Sequence, residues 1–575
     1  MEASMNQSIP GVQTGANAPA STAYYPKSVD WAMDLSGRPL TELLDDAARD
    51  FPAKAAIVFK GKTTTYRELA EAVGRTAAGL QKIGVTKSTK VGLLLPNTPT
   101  FIIYYFAILK AGGTVVNFNP LYTIEELTFQ ARDSDTRIMI THDLKALFGK
   151  VETLVANGVL QQAVVVPFAP LLPIATELLF KIFKRKEIAD IAHSPVVAKV
   201  TMGPEIERSG ATLKSVAIAP DTDVAVLQYT GGTTGTPKGA MLTHTNLYVN
   251  AAQINAWATD LKHGEERVLG ALPLFHVFAM TVVMNMAIAK AATIILMPRF
   301  QLDEALGLIH KEKPTMMPAV PTIFTAMLNH PKLKSFDMSS MKFCISGGAP
   351  LPLEIKLQFE ELTGSSVVEG YGLSEASPVV TCNPMDGPVV SGSIGLPLPQ
   401  TSISLRDLSD PSREVPAGER GELCVKGPQV MKGYWNRPKE TADQFNGEFL
   451  RTGDVAVMDE KGFYFIVDRI KDLIICSGFN VYPRRIEEAI YEHPAVEEVT
   501  VIGIKDSYRG EAPKAFIKLK SGMSATVADI FKHLEPKISK IEMPSQIEFR
   551  DSLPKTLIGK LSKKELVAEE AKKRA

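Results

Sequence analysis

The sequence predicts an α/β protein, mixed α+β overall, with a large N-terminal domain of α/β sheets, a small β module and a small C-terminal α+β domain. Three observations predict it. The chain has 575 residues, and a single core rarely grows past ~250–300 residues. Helical apolar spacing alternates with short apolar runs ended by turn residues over 40–165 and again over 220–400, the signature of covered sheets. Near residue 400 the pattern turns strand-rich, and past 470 it becomes a compact α/β tail.

The opening stretch "MEASMNQSIPGVQTGANAPAS" carries an early Glu2 and no apolar centre, so it does not read as a signal peptide. Residues 1–30 are expected to be a polar, partly disordered lead-in, 31–470 the N-terminal domain and 471–575 the C-terminal domain. "TELLDDAARDFP" (41–52) and "TYRELAEAVGRTAAGLQKIG" (65–84) have helical spacing. "KVGLLLPN" (90–97) and "GTVVNFN" (113–119) read as buried strands.

Residues 163–187, "AVVVPFAPLLPIATELLFKIFKRKE", break the alternation. Three prolines prevent one long helix. From Ile174 the pattern is amphipathic and ends in Lys181, Lys184, Arg185 and Lys186. Two readings stand open: contact with an anionic membrane through 174–187, or a core-packed surface helix with a solvated charged end.

"YTGGTTGTPKGAMLTHTN" (229–246) follows an apolar run and leads into a helix expected from about Asn246. It is not a Walker loop, because Pro237 precedes Lys238 and Gly239 follows it. No GxGxxG spacing occurs there. Gly231, Gly232 and Gly235 still let backbone N–H groups turn toward an anion. Thr233, Thr234 and Thr236 add hydroxyls, and Lys238 adds charge. Val268 to Ala289 carries no formal charge but contains Pro273, His276 and Asn285, so it reads as a buried helix rather than a membrane span.

From 400 to 465 "SISLRDL", "GELCVKG", "DVAVMDE" and "GFYFIVD" form the β module. The domain boundary is expected at Arg469–Asp472. The tail has a helix from about Arg484 to Glu492 opened by Pro483, the runs "VTVIGI" and "KAFIKL", and a second helix near 526–540.

Lys+Arg and Asp+Glu both number 63, so no global field steers the chain toward nucleic acid. The four cysteines form no CxxC pair, which argues against a zinc or disulfide framework and for a reducing cytoplasm.

Eight motifs in order resemble the adenylate-forming enzymes, which include acyl-CoA synthetases, peptide-synthetase adenylation domains and luciferases. They are "YTGGTTGTPKG" (229–239), "ALPLFHVF" (271–278), "SGGAPLP" (346–352), "EGYGLSEASP" (369–378), "RTGD" (451–454), "DRIKD" (468–472), "SGFNVYP" (477–483) and "LPKTLIGK" (553–560). The resemblance spans roughly 35–570. "TGGTTG" with "GFNVYP" is most similar to bacterial long-chain fatty acyl-CoA synthetases.

The resemblance implies activation of a carboxylic acid by ATP to an acyl-adenylate, then transfer to coenzyme A, with Mg²⁺. Thr230, Gly231, Gly232, Thr233, Thr234, Gly235 and Lys238 would cradle phosphates. Glu375 would contact the metal, with Thr233 or Thr234 adding a hydroxyl. Ser374, where the family usually has Thr, would meet the α-phosphate. Gly348, Gly370 and Tyr371 would frame the adenine, with the Tyr371 ring stacking, and Glu369 and Gly372 would be further cofactor-binding residues. Asp454 would bind the ribose hydroxyls, joined by Arg469. Lys560 would be the adenylation lysine, and His276 would line the passage between acyl, phosphate and thiol.

A swing of the mobile small domain about Lys471 would remove Lys560 and bring Ser477, Gly478 and Phe479 to the thiol, with Arg484 or Arg509 near CoA phosphates. Val268 to Ala289 lacks the carboxylate of amino-acid-activating relatives. Phe275, Val277, Phe278, Met280, Val283 and Met284 are expected as an apolar wall for an alkyl chain. A tryptophan gate known in one type of relative is replaced here by Met280. A medium-chain or aryl acid–CoA ligase is the close alternative, and an inactive ATP-binding scaffold the distant one. The sequence is silent on oligomeric state and chain length.

Overall fold

The computed structural model describes residues 20–230, 236–387, 389–506, 508–556 and 560–573. Two sheets dominate the large domain. A seven-stranded sheet carries Lys90–Leu94 and Thr114–Asn117 near its middle and Val224–Thr230 next to its edge strand. A nine-stranded sheet carries Arg267–Gly270, Met316–Ala319, Phe343–Ser346 and Ser366–Gly372 in parallel succession. Helix Pro99–Lys110, apolar nearly all round, is buried along almost its whole length. A helix without a polar face belongs inside a protein. Helix Tyr66–Lys82 starts at a reciprocal cap between Thr65 and Glu68, and helix His244–Trp257 at one between Thr243 and Asn246.

The structure corrects several expectations. The helix expected from about Asn246 begins at His244, but an unexpected strand precedes it: Lys238–Thr243 returns antiparallel along Val224–Thr230. The uncharged segment 268–289 is not one helix. Its start lies in strand Arg267–Gly270, and the helical part covers Ala279–Asn285 and Met286–Ala289. The lead-in packs earlier than residue 31: Tyr25 and Val29 are in the main core, and the Tyr25 ring stands edge-on to Trp257 at 4.8 Å. Burying two aromatics outweighs the polar composition around them. Residues 1–19 lie outside the described ones.

The β module has Ser402–Arg406, Gly421–Lys426, Phe449–Met458, Phe445–Asn446 and Tyr464–Arg469 in one antiparallel sheet. A short turn, Ile470–Asp472, leads into the small domain. There Val496–Asp506 and Gly510–Leu519 form a long hairpin, backed by helices Pro483–Tyr491, Val527–Leu534 and Lys563–Lys572. The second helix, expected to 540, stops at Leu534 because Pro536 disfavours helical backbone just before it.

Helix Ile174–Phe183 buries no residue. It leans on the body through Phe180, whose ring lies 5.4 Å from that of Phe168. The helix thus touches the described core through Phe180 alone among its large apolar residues and leaves Ile174, Leu178, Leu179, Ile182 and Phe183 exposed. No helix among the described residues is long and apolar enough to cross a membrane.

Candidate active site

A cavity of about 2870 Å³ opens between the two domains. It lies beyond the carboxyl ends of strands Phe343–Ser346 and Ser366–Gly372, where open α/β sheets place ligands. Thr230, Lys238, His276, Gly348, Glu369, Gly370, Tyr371, Gly372, Ser374, Glu375, Asp454, Arg469, Lys471 and Lys560 all line it. Gly231, Gly232, Thr233, Thr234 and Gly235 lie outside the described residues.

Asp454 is placed by its strand pairing. It sits opposite Arg469 in the antiparallel register, and Arg469 Nε lies 3.2 Å from Asp454 Oδ1. The turn before it is fixed by Arg451, which donates from Nε and a terminal nitrogen to Glu422 Oε2 at 2.9 and 2.8 Å, and by Gly453 at φ +73°. The Tyr371 hydroxyl donates to Asp454 Oδ2 at 2.5 Å. Burial, then the Asp454 charge, hold the phenol well above its ordinary pKa. In this arrangement Tyr371 acts through its hydroxyl as well as offering a ring.

Lys560 comes from the small domain. Lys555 and Leu561 pair across its loop, and the Lys560 N–H donates to Thr556 Oγ1 at 3.1 Å. Its side chain crosses into the large domain and lies over Gly348: a Cβ at Gly348 would stand 2.6 Å from Lys560 Cε and 3.2 Å from Nζ. Gly348 thus admits the lysine, whatever it offers an adenine. Burial and the nearby Arg469 lower the Lys560 pKa to about 8, partly offset by Asp454.

Burial and Lys560 lower His276 to about 4, so its imidazole is neutral near pH 7. Its Nδ1 accepts the Phe278 N–H at 3.3 Å, which leaves Nε2 as the protonated nitrogen. Glu375, half-buried, accepts from the Tyr434 hydroxyl at 2.8 Å and forms no ion pair among the described residues. Burial raises its pKa. Such a carboxylate is short of positive charge and fits a divalent cation.

Two sequence assignments gain other roles. Gly372 is required by packing: a Cβ there would meet the Pro378 carbonyl oxygen at 2.0 Å. Glu369 accepts the Leu351 N–H at 3.1 Å, so it steadies the "SGGAPLP" loop. The apolar wall is also corrected. Val277 and Phe278 line the cavity together with Val282, whereas Phe275, Met280, Val283 and Met284 are absent from its described lining. Successive helical residues face different ways, and the apolar side is completed by Ile254, Trp257, Val379 and Leu398.

Ser477 and Gly478, at φ +52° and +81°, form the turn of an exposed hairpin away from the cavity. Phe479 beside them is 65 % exposed. Sequence reasoning missed Tyr434, which touches Glu375 and lies under Lys238. Its signal was the dense "GYWNRP" run (433–438).

Cations (Lys238, Arg469 and Lys560) and carboxylates (Glu375 and Asp454) around one cavity suit a polyanionic ligand that carries a metal ion and hydroxyl groups. The comparisons agree with that chemistry. The family model "AMP-binding enzyme" matches residues 44–435, and "AMP-binding enzyme C-terminal domain" matches 485–560. A long-chain-fatty-acid–CoA ligase of Bacillus subtilis (strain 168) is 43 % identical over 95 % of this chain and 97 % of its own length. One from Escherichia coli O6:H1 is 38 % identical over 92 % and 94 %. ATP-bound MatB from Rhodopseudomonas palustris superposes with a TM-score of 0.80 at 29 % identity, over 93 % of this chain and 99 % of that one.

Proposed function

The chain belongs to the AMP-binding enzyme family, and from that premise we propose that it is a long-chain-fatty-acid–CoA ligase using ATP, Mg²⁺ and coenzyme A. The observation that carries the reading is Lys560 of the small domain seated over Gly348, in a cavity lined by Lys238, Glu375, Asp454 and Arg469. The apolar side formed by Val277, Phe278, Val282 and Trp257 supports an alkyl chain, as do the names of the relatives.

In the first half-reaction a fatty-acid carboxylate oxygen attacks the α-phosphorus of ATP, and the bond to the β-phosphate breaks. Lys560 bridges the carboxylate and the α-phosphate and balances charge that grows on the phosphoryl oxygens. Lys238 and the loop before it hold the departing pyrophosphate. Ser374 donates to the α-phosphate. Asp454 accepts from the ribose hydroxyls, and Arg469 and Tyr371 hold its carboxylate in place. Glu375 is the carboxylate that would hold Mg²⁺, with Thr233 as a second ligand. Bound there, the ion supplies charge neutralisation on the phosphates. His276, neutral, gives an N–H donor rather than a cation.

In the second half the CoA sulfur attacks the acyl carbonyl, AMP leaves, and the thiol proton passes to solvent. The exposed 477–479 turn has to reach the acyl group, and Lys560 has to leave it. Rotation about Lys471 does both. Contacts that rotation must break include the Arg484 N–H bond to Asp468 Oδ2 at 2.8 Å and Arg420 over the Tyr482 ring at 4.5 Å.

We place the enzyme in the cytoplasm, at the inner face of the membrane. Helix Ile174–Phe183 exposes Ile174, Leu178, Leu179, Ile182 and Phe183 beside Lys181, Lys184, Arg185 and Lys186, with exposed Lys62 tied to the Pro170 carbonyl. Apolar residues flanked by cations suit an anionic lipid surface.

The test is Lys560→Ala assayed in each half-reaction. Adenylation should collapse while transfer from supplied acyl-AMP to CoA continues. Equal loss in both would overturn the assignment of Lys560 to the first half.

A further inference from the structure

The segment after the β-module strand Gly421–Lys426 runs back to the large domain and lies along the outer edge of strand Lys238–Thr243. The Met431 N–H donates to the Glu375 carbonyl at 2.7 Å. Lys432 and Met241 then pair through Lys432 N–H to Met241 O at 3.0 Å and Met241 N–H to Gly433 O at 2.8 Å, and the Trp435 N–H meets Gly239 O at 2.8 Å. The far end is pinned by the Arg437–Asp133 ion pair, whose carboxylate also accepts from the Tyr229 hydroxyl at 2.6 Å. Lys90 sits 4.3 Å over the Trp435 ring. The strap therefore grips the phosphate hairpin by its backbone and by both flanks.

Tyr434 stands in the middle of this strap and is 5 % exposed. Its hydroxyl donates to Glu375 Oε1 at 2.8 Å. Lys238 Nζ lies 5.0 Å from the centroid of its ring, within cation–π range. One side chain thus touches both the carboxylate assigned to the metal and the ammonium assigned to the phosphates. Without it, two opposite charges at the mouth of one cavity would be drawn together, and each would be lost to its ligand.

We infer that Tyr434 is a positioning residue that holds Glu375 and Lys238 apart and aimed at the metal-bound phosphates. This deepens the reading above and rests on it. The two functions separate by chemistry. The hydroxyl serves Glu375 and hence the metal-dependent part of ATP binding. The ring serves Lys238 and hence the part that needs no metal.

The experiment is calorimetric titration of the whole chain with ATP, once with Mg²⁺ and once with EDTA, for wild type, Tyr434→Phe and Tyr434→Leu. Tyr434→Phe keeps the ring and its packing, so its unfolding midpoint and its affinity in EDTA should match wild type. Its gain in affinity on adding Mg²⁺ should fall by about tenfold, the worth of one hydrogen bond to an ionised group. Tyr434→Leu should also lose a few-fold in EDTA. A full Mg²⁺ gain in Tyr434→Phe, or an equal loss with and without the metal, overturns the inference while leaving ligase function intact. A wild-type chain that binds no ATP overturns the functional reading and this inference together.

Discussion

Substituting Gly348 by alanine separates the energy of folding from the geometry of catalysis. Gly348 has φ +84°, and left-handed backbone costs an L-residue roughly 1–2 kcal/mol. The new Cβ would lie 3.7 Å from Val320 Cγ1, an ordinary contact, but 2.6 Å from Lys560 Cε. Carbon atoms prefer ~3.5–4.0 Å, so the end of Lys560 must retreat by about 1 Å. That retreat costs little folding energy, because the lysine stem is flexible. It costs much in rate, since a misplacement of about 1 Å can lose about 100-fold. Gly348→Ala should therefore unfold only a few degrees earlier, lose about 100-fold in fatty-acid-dependent ATP–pyrophosphate exchange, and transfer acyl groups from supplied acyl-AMP to CoA near the wild-type rate. Full exchange activity, or a matching loss in transfer, would refute the claim that Gly348 makes room for a lysine that works only in adenylation.

The pH profile is a second test. Lys560 must carry charge and has a pKa lowered to about 8, so kcat/KM for adenylation should fall as pH rises through that value. Lys560→Arg, slower but permanently charged, should lack this limb, and a wild-type rate flat well above it would contradict the assignment. Asp454→Asn should weaken ATP binding by about tenfold, as expected for losing a charged acceptor, and narrow the preference for ATP over 2′-deoxy-ATP; an unchanged preference in a calorimetric titration would remove Asp454 from the ribose. For the exposed helix, each fully buried apolar side chain contributes ~1.5–3 kcal/mol. Ile182→Glu with Phe183→Glu should then cut cosedimentation with anionic vesicles by at least about tenfold, as should neutralising Lys181, Lys184, Arg185 and Lys186. Unchanged cosedimentation in both variants would refute the membrane contact.

Much of this site was readable in the sequence because its chemistry sits in short contiguous runs. "RTGD" and "DRIKD" carry Asp454 and Arg469, and the strand register then sets them face to face. Residue type was legible where orientation was not. Tyr371 reads as a ring, yet its hydroxyl grips Asp454. Gly372 reads as a ligand approach, yet the Pro378 carbonyl accounts for it. Strand Lys238–Thr243 was hidden because a glycine and a lysine dilute its β pattern, and its partner is supplied by the hairpin. Tyr434 was missed because its contacts to Glu375 and Lys238 are made between separate motifs. The amphipathic period of 174–183 could not say whether a neighbour covers the helix; only the packing answers that.

The central claim is tested most directly by measuring ATP- and CoA-dependent AMP release, with acyl-CoA identified by mass, across acids from acetate to oleate plus coumarate. A long-chain ligase should release AMP fastest with long-chain fatty acids, only when CoA is present in turnover, and yield the matching thioester. A maximum at coumarate or at a short acid would keep the fold and the two half-reactions but contradict the alkyl pocket and the membrane placement. No turnover with any acid would contradict the enzyme itself.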